Sequence, residues 1–200
     1  MKMDGSHVLK LPREQVWQLL NDPAVLQRCI PGCEKMELIG EDSYDTVLNV
    51  GVGSINGVYN SKVKIEQKQP PISYKMLVEG KGKPGFVKGS GVIQLEEQEG
   101  NTTINYQGDV QVGGTIASVG QRMLQGAAKM MVGQFFTAIE LEAEALQQAV
   151  QAAQQANQEA AEKGEEPPAR PFEPPRHNPW KIFFRYILNI VKGWFRGKAK

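Results

Sequence analysis

The sequence predicts an α+β fold in which a curved antiparallel sheet wraps around one long C-terminal helix, with two short helices closing one end. Three observations carry this. Residues 115–150 hold a wide apolar stripe at helical spacing. Six strand-like segments precede it, spaced as in antiparallel meanders. Two short stretches with helix-start signals lie between a first strand and those six. A helix with so wide a stripe must lie against something, and everything upstream reads as strands.

In chain order, residues 2–11 alternate well enough for a strand, and Pro12 opens a short helix carrying Val16, Trp17, Leu19 and Leu20. Asp22-Pro23 is an N-cap followed by Pro at the first helical position, so a second short helix runs to about Cys29. Pro31-Gly32 turns the chain out of it. Strands are expected over about 34–39, 44–52, 57–67, 73–80, 86–96 and 102–112. Reading every second residue gives each an apolar face, with Tyr44, Tyr59, Val63, Ile65, Tyr74, Met76, Val78, Ile93, Leu95, Ile104, Tyr106, Val110 and Val112 inward. Lys62, Lys64, Glu66, Lys75, Glu79, Gln94 and Gln107 fall on the other face, which therefore sees water.

Gly113-Gly114 leads into the long helix, where Ser118-Val119-Gly120-Gln121 has the Ser-x-x-Gln pattern of a capping box. Leu124, Ala128, Met131, Phe135 and Ile139 form its central row, flanked by Met123, Ala127, Met130 and Val132, with Arg122, Gln125 and Lys129 opposite. Gly126 and Gly133 fall on the polar side; each costs about 1 kcal/mol relative to Ala, which suggests close approach by a partner or simply tolerated drift. Past Leu146 the stripe fails. Residues 147–163 are Ala, Gln and Glu, strong helix formers without an apolar face, so composition leaves open whether the helix continues or frays. Residues 164–178 hold five prolines and read as a semi-rigid linker.

Composition allows one core plus an appendage: the chain has 200 residues, 40% of them hydrophobic. Its net charge of +1 hides an asymmetry. Residues 1–175 carry 16 Lys and Arg against 22 Asp and Glu, a balance of −6, whereas residues 176–200 carry 7 Lys and Arg and no acid. Such a basic tail suits an anionic surface. The first residues have no apolar run of signal-peptide length, so a cytoplasmic body is expected. Cys29 and Cys33 are spaced C-x3-C, with only His7 and His177 as histidines, so a tetrahedral metal site lacks ligands and reduced structural thiols are expected.

After Asn178-Pro179, residues 180–196 give the cleanest helical wheel. Lys181, Arg185, Lys192 and Arg196 share one arc, while Trp180, Phe183, Phe184, Ile187, Leu188, Val191, Trp194 and Phe195 fill most of the rest. A cation or Asn recurs every three or four residues, so no apolar run approaches the roughly 20 residues that span a bilayer. The pattern is that of a helix lying in the membrane interface, with docking onto a protein as the alternative. The expected organisation is a body over 1–150, a helical extension and linker over 151–178, and a membrane-binding helix over 179–200.

Between helix and sheet, Tyr59, Met76, Val78, Met123, Ala127, Met130, Met131 and Phe135 are the candidate lining of an elongated apolar pocket; plain core packing explains the same stripe. Gly80-x-Gly82-x-x-Gly85 matches a dinucleotide fingerprint in letters only, because Pro84 and a strand follow where a helix is required. His7 has no neighbouring Ser or Cys in sequence to make a nucleophile–base pair. Nothing points to nucleic acid, a catalytic group or an intrinsic cofactor.

Three stretches together, Val16-Trp17-x-Leu19-Leu20-Asn21-Asp22-Pro23, Cys29-Ile30-Pro31-Gly32-Cys33-Glu34, and the helix from Gly120 through Phe135-Phe136, resemble the carbon monoxide dehydrogenase CoxG family. The resemblance covers about residues 1–150 and implies a helix-grip fold of the START and birch-pollen-allergen-like (Bet v 1-like) superfamily. It implies a non-catalytic accessory protein whose partner is a molybdenum hydroxylase such as CO dehydrogenase. It further implies an apolar ligand, here expected to be a quinone, and a place on the inner face of the cell membrane. A bare membrane anchor without ligand, and a small-molecule cyclase of the kind found elsewhere in the superfamily, are the alternatives.

Overall fold

The computed structural model describes residues 1–52 and 55–163. The linker over 164–178 and the amphipathic stretch over 180–196 lie outside these residues. Seven strands form a single antiparallel sheet: β1 (Lys2–Leu9), β2 (Cys33–Gly40), β3 (Ser43–Val52), β4 (Ile55–Gln69), β5 (Ser73–Gly82), β6 (Gly85–Gln98) and β7 (Asn101–Gly113). Its order is β1-β7-β6-β5-β4-β3-β2, so β1 and β2 are the two edges. Helices α1 (Arg13–Asn21) and α2 (Pro23–Cys29) lie between β1 and β2 in sequence, and α3 (Gln121–Lys163) follows β7.

The inward faces are those the alternation predicts. Tyr44, Tyr59, Tyr74, Leu95 and Ile104 are buried on β3 to β7, while Lys62, Lys64 and Gln94 are exposed. Pro12 precedes α1, and the Asp22 carboxylate accepts from the Ala24 N–H at 2.8 Å, capping α2 as its sequence requires. The main core joins Leu9, Leu11, Val16, Leu19, Leu20, Val25 and Cys29 to Leu95, Ile104, Phe136, Ile139 and Ala143, which seats α1 and α2 against the C-terminal part of the gripped helix. Thr102, fully buried, donates its hydroxyl to the Leu11 carbonyl at 2.7 Å, so the one polar group at this depth is satisfied.

One expectation about the long helix is corrected, and one question left open by composition is answered. The helix does not begin at a Ser118 cap. Thr115–Val119 is a 3₁₀ turn, Gly120 breaks it at φ 87°, and the α-helix begins at Gln121. The Ser118 hydroxyl instead donates back to the Thr115 carbonyl at 2.7 Å. At its other end the helix continues past residue 150 to Lys163, as a run of Ala, Gln and Glu permits.

Candidate functional site

The site is a hollow between α3 and the sheet. Three inward positions of β6 and β7 carry no side chain: Gly89, Gly91 and Gly108. Gly91 and Gly108 face each other across the β6–β7 pairing, and Gly91 also faces Met76 on β5. The floor there is bare backbone, and the helix above cannot fill the gap. The result is an outer lobe of ≈ 350 Å³, with Met76, Val78, Val87, Ile93, Tyr106 and Val110 around the glycines and Val132, Phe135 and Phe136 as the roof.

A second, inner lobe of ≈ 260 Å³ continues beneath α1 and α2. Leu20, Leu26 and Ile30 close it, and Met36, Tyr44, Val63, Ile65, Tyr74 and Ile104 form its sheet wall. Met76, Ile93, Phe135 and Phe136 belong to both lobes and mark the waist. Burial pushes the Tyr44 and Tyr74 hydroxyls upward in pKa, Tyr74 most strongly, so both remain neutral donors. The Asn21 amide in this lobe donates to the Trp17 carbonyl at 2.9 Å.

The candidate residues divide. Met76, Val78 and Phe135 line the cavity. Tyr59 and Ala127 are buried in a separate cluster with Ile116, packed by Val50, Val87, Val112, Val119 and Leu124 near the start of α3. The Tyr59 hydroxyl is buried without a hydrogen-bond partner. Met131 is half-buried and outside both lobes, and Met123 and Met130 are 50% and 44% exposed. Placing these two methionines in the lining was wrong for a geometric reason. The buried row passes through Val132, Phe136, Ile139 and Ala143, so the true centre of the helix's apolar face is rotated away from Met123 and Met130.

The inner-face glycines are what the candidate set missed, although their signal was present. Val87-x-Gly89-x-Gly91-x-Ile93-x-Leu95 keeps the two-residue alternation while dropping two side chains in its middle. Gly126 and Gly133 are exposed, and a Cβ on either would meet nothing within 4 Å.

Other titratable groups lie outside the two lobes. His7 stacks on Phe136 at 4.4 Å and bonds the Glu140 carboxylate at 2.9 Å, with 26% and 46% of the two side chains exposed. Cys29 is buried and its thiol is pushed up to about 11, by desolvation first and by the nearby Glu142 charge second. Desolvation likewise raises Cys33. Among the described residues no group of three or more His, Cys, Asp and Glu is placed to hold a metal ion, and no helix is long and apolar enough to cross a membrane.

The chain is similar to a conserved protein from Geobacillus kaustophilus, with 41% identity, 72% of this chain and 95% of that chain covered, and a TM-score of 0.70. A START superfamily protein from Mycobacterium smegmatis shares 12% identity over 72% of this chain and 98% of its own, at a TM-score of 0.57. The ZhuI aromatase/cyclase from a Streptomyces species shares 15% over 72% and 93%, at 0.54. These last two show the fold alone, a START and Bet v 1-like helix-grip. No curated protein sequence matches. The family model of the carbon monoxide dehydrogenase accessory protein CoxG matches residues 5–144, and with that span, most of the body and the whole cavity, the chain belongs to the CoxG family.

Proposed function

We propose that the protein is a non-catalytic accessory factor of a molybdenum hydroxylase such as CO dehydrogenase. It binds an apolar ligand, a quinone, in the cavity and associates with the inner membrane leaflet through residues 180–196. In this way it links the cytoplasmic enzyme to the membrane quinone pool.

The observation that carries the reading is the chemistry of the wall. Among the described residues, neither lobe is lined by a single Asp, Glu, His, Lys, Arg or Cys. Three tyrosines are its only titratable groups, and two of them are held neutral by burial. Such a wall offers no poised acid–base pair for turnover and an ample surface for an apolar guest. The outer lobe alone falls within the usual size of small-molecule sites, about 300–1,000 Å³. Family membership supports the enzyme partner, and the aromatic and basic faces of residues 180–196 support the membrane.

The test is organic extraction of the purified full-length protein, followed by mass spectrometry. A quinone is expected at close to one per chain. Extracts that hold no quinone, from protein isolated out of quinone-containing membranes, would overturn the carrier reading and leave an anchor.

A further inference from the structure

The outer lobe adjoins a second chamber of different character. A polar space of ≈ 240 Å³ lies where β1, a free edge of the sheet, passes α3. Met3, Tyr106 and Val132 belong to the walls of both spaces. The remaining wall of the polar one is Lys2, Asp4, Gln125 and Lys129. Among the described residues neither lysine has an ion-pair partner. Two lysines against one aspartate leave a positive balance, and ammonium and amide groups offer several N–H donors at one place. The charge on α3 is sorted in the same sense. Residues 121–139 carry Arg122 and Lys129 and no acid, and the acids begin at Glu140.

The opposite end has no such donors to spare. The inner lobe is closed by leucine and isoleucine from α1 and α2, and its one side-chain amide is already engaged with the Trp17 carbonyl. A carbonyl oxygen carried into an apolar wall without a donor loses its hydrogen bonds to water and gains none. The two ends are therefore not equivalent for a molecule with oxygens at one end only.

We infer that the cavity loads its ligand in one direction. The apolar chain lies in the lobes, and the carbonyl-bearing ring sits at the mouth between β1 and α3, where Gln125 and Lys129 donate to its oxygens. This rests on the quinone reading of the cavity. It makes Gln125 and Lys129 specificity residues and leaves the redox-active ring as the part of the cargo reachable from outside the domain.

Two probes of the same shape separate the head from the tail: 2-methyl-3-decyl-1,4-naphthoquinone and 2-methyl-3-decylnaphthalene, which lacks only the oxygens. Calorimetric titration of the full chain should show tighter binding of the quinone. Lys129→Met and Gln125→Leu should each weaken the quinone by about tenfold, as expected for a hydrogen bond with a charged or buried partner. Neither should move the hydrocarbon, and Lys129→Arg should restore the quinone. Equal weakening of both probes, or no change in either, overturns the orientation while leaving the carrier reading intact. A loss produced by Tyr59→Phe or Tyr74→Phe in place of Lys129→Met puts the ring inside and overturns it too. Wild-type protein that takes neither probe overturns the carrier reading itself, and the orientation with it.

Discussion

A Cβ placed on Gly91 would meet the Gln107 carbonyl oxygen at 3.4 Å and the Gly108 Cα at 3.8 Å, close but tolerable contacts for a strand residue. One placed on Gly108 would come within 2.9 Å of the Ser90 carbonyl oxygen, which is backbone and cannot step aside. The two glycines share one floor but differ in what they tolerate. Gly91→Val should leave stability unchanged or raise it by up to about 1 kcal/mol, since valine favours strands. Its side chain enters the outer lobe and should cut extractable ligand severalfold. Gly108→Val should instead destabilise by about 1–3 kcal/mol through the backbone clash. Thermal unfolding paired with ligand quantification checks both, and a stable Gly91→Val protein that still carries a full complement of ligand would argue against this floor. At this scale the sequence was only partly legible. The inward tyrosines followed from alternation alone. The assignment of Met123 and Met130 failed because a wheel shows that a stripe exists, whereas the sheet decides where its centre lies.

Among elements, α2 is tied to α3 by Arg28, whose Nε and Nη2 donate to the two Glu142 carboxylate oxygens at 2.8 Å each. The hydrogen bond from Arg28 lowers the Glu142 pKa, its charge adds to that, and desolvation opposes it. A carboxylate whose folded pKa lies below its unfolded value stabilises the fold fully above the unfolded value, about 4.3. That contribution is lost as pH falls through the folded one. With Arg28 55% exposed and Glu142 28% exposed, solvent screening keeps the pair near 0.5–1 kcal/mol. Glu142→Gln should therefore cost about that much in urea unfolding at pH 7, with the difference from wild type shrinking below about pH 4. An undiminished difference at pH 3 would mean that packing, not charge, is what the substitution removes. Helices, strands and their order were legible because period, caps and turns agree with one another. The start of α3 was not. Its 3₁₀ turn depends on Pro84, whose carbonyl accepts from the Ile116 N–H at 2.9 Å and the Thr115 hydroxyl at 2.8 Å, a long-range contact that no local pattern shows.

For the whole molecule, the charge asymmetry assigns the two tasks to different parts of the chain. Apolar and aromatic side chains of residues 180–196 can bury part-way into a lipid interface. Each Lys or Arg near an anionic leaflet adds about 1 kcal/mol. Centring Arg185 or Lys192 in hydrocarbon would cost roughly 2.5–3.5 kcal/mol apiece, so lying flat is preferred. Truncation after Pro175 should abolish sedimentation with anionic liposomes while the far-UV circular dichroism of the body persists. High salt should release the full chain only in part, because the aromatic face is not screened. Equal sedimentation of the truncated and full-length proteins would place the membrane contact elsewhere.

That truncation has an optical consequence. Of the chain's three tryptophans, only Trp17 precedes residue 176. Its ring meets Tyr74 edge-on, with centroids 5.5 Å apart and planes at 80°, and Tyr74 is part of the inner-lobe wall. The shortened protein thus carries a single indole fluorophore one aromatic ring away from the cargo. A quinone is an electron acceptor that quenches indole emission at short range, so filling of the inner lobe would darken Trp17. Emptying it into lipid would restore the signal. In the full chain, Trp180 and Trp194 would add emission that reports on lipid contact, which makes loading and anchoring two separable colours of the same molecule.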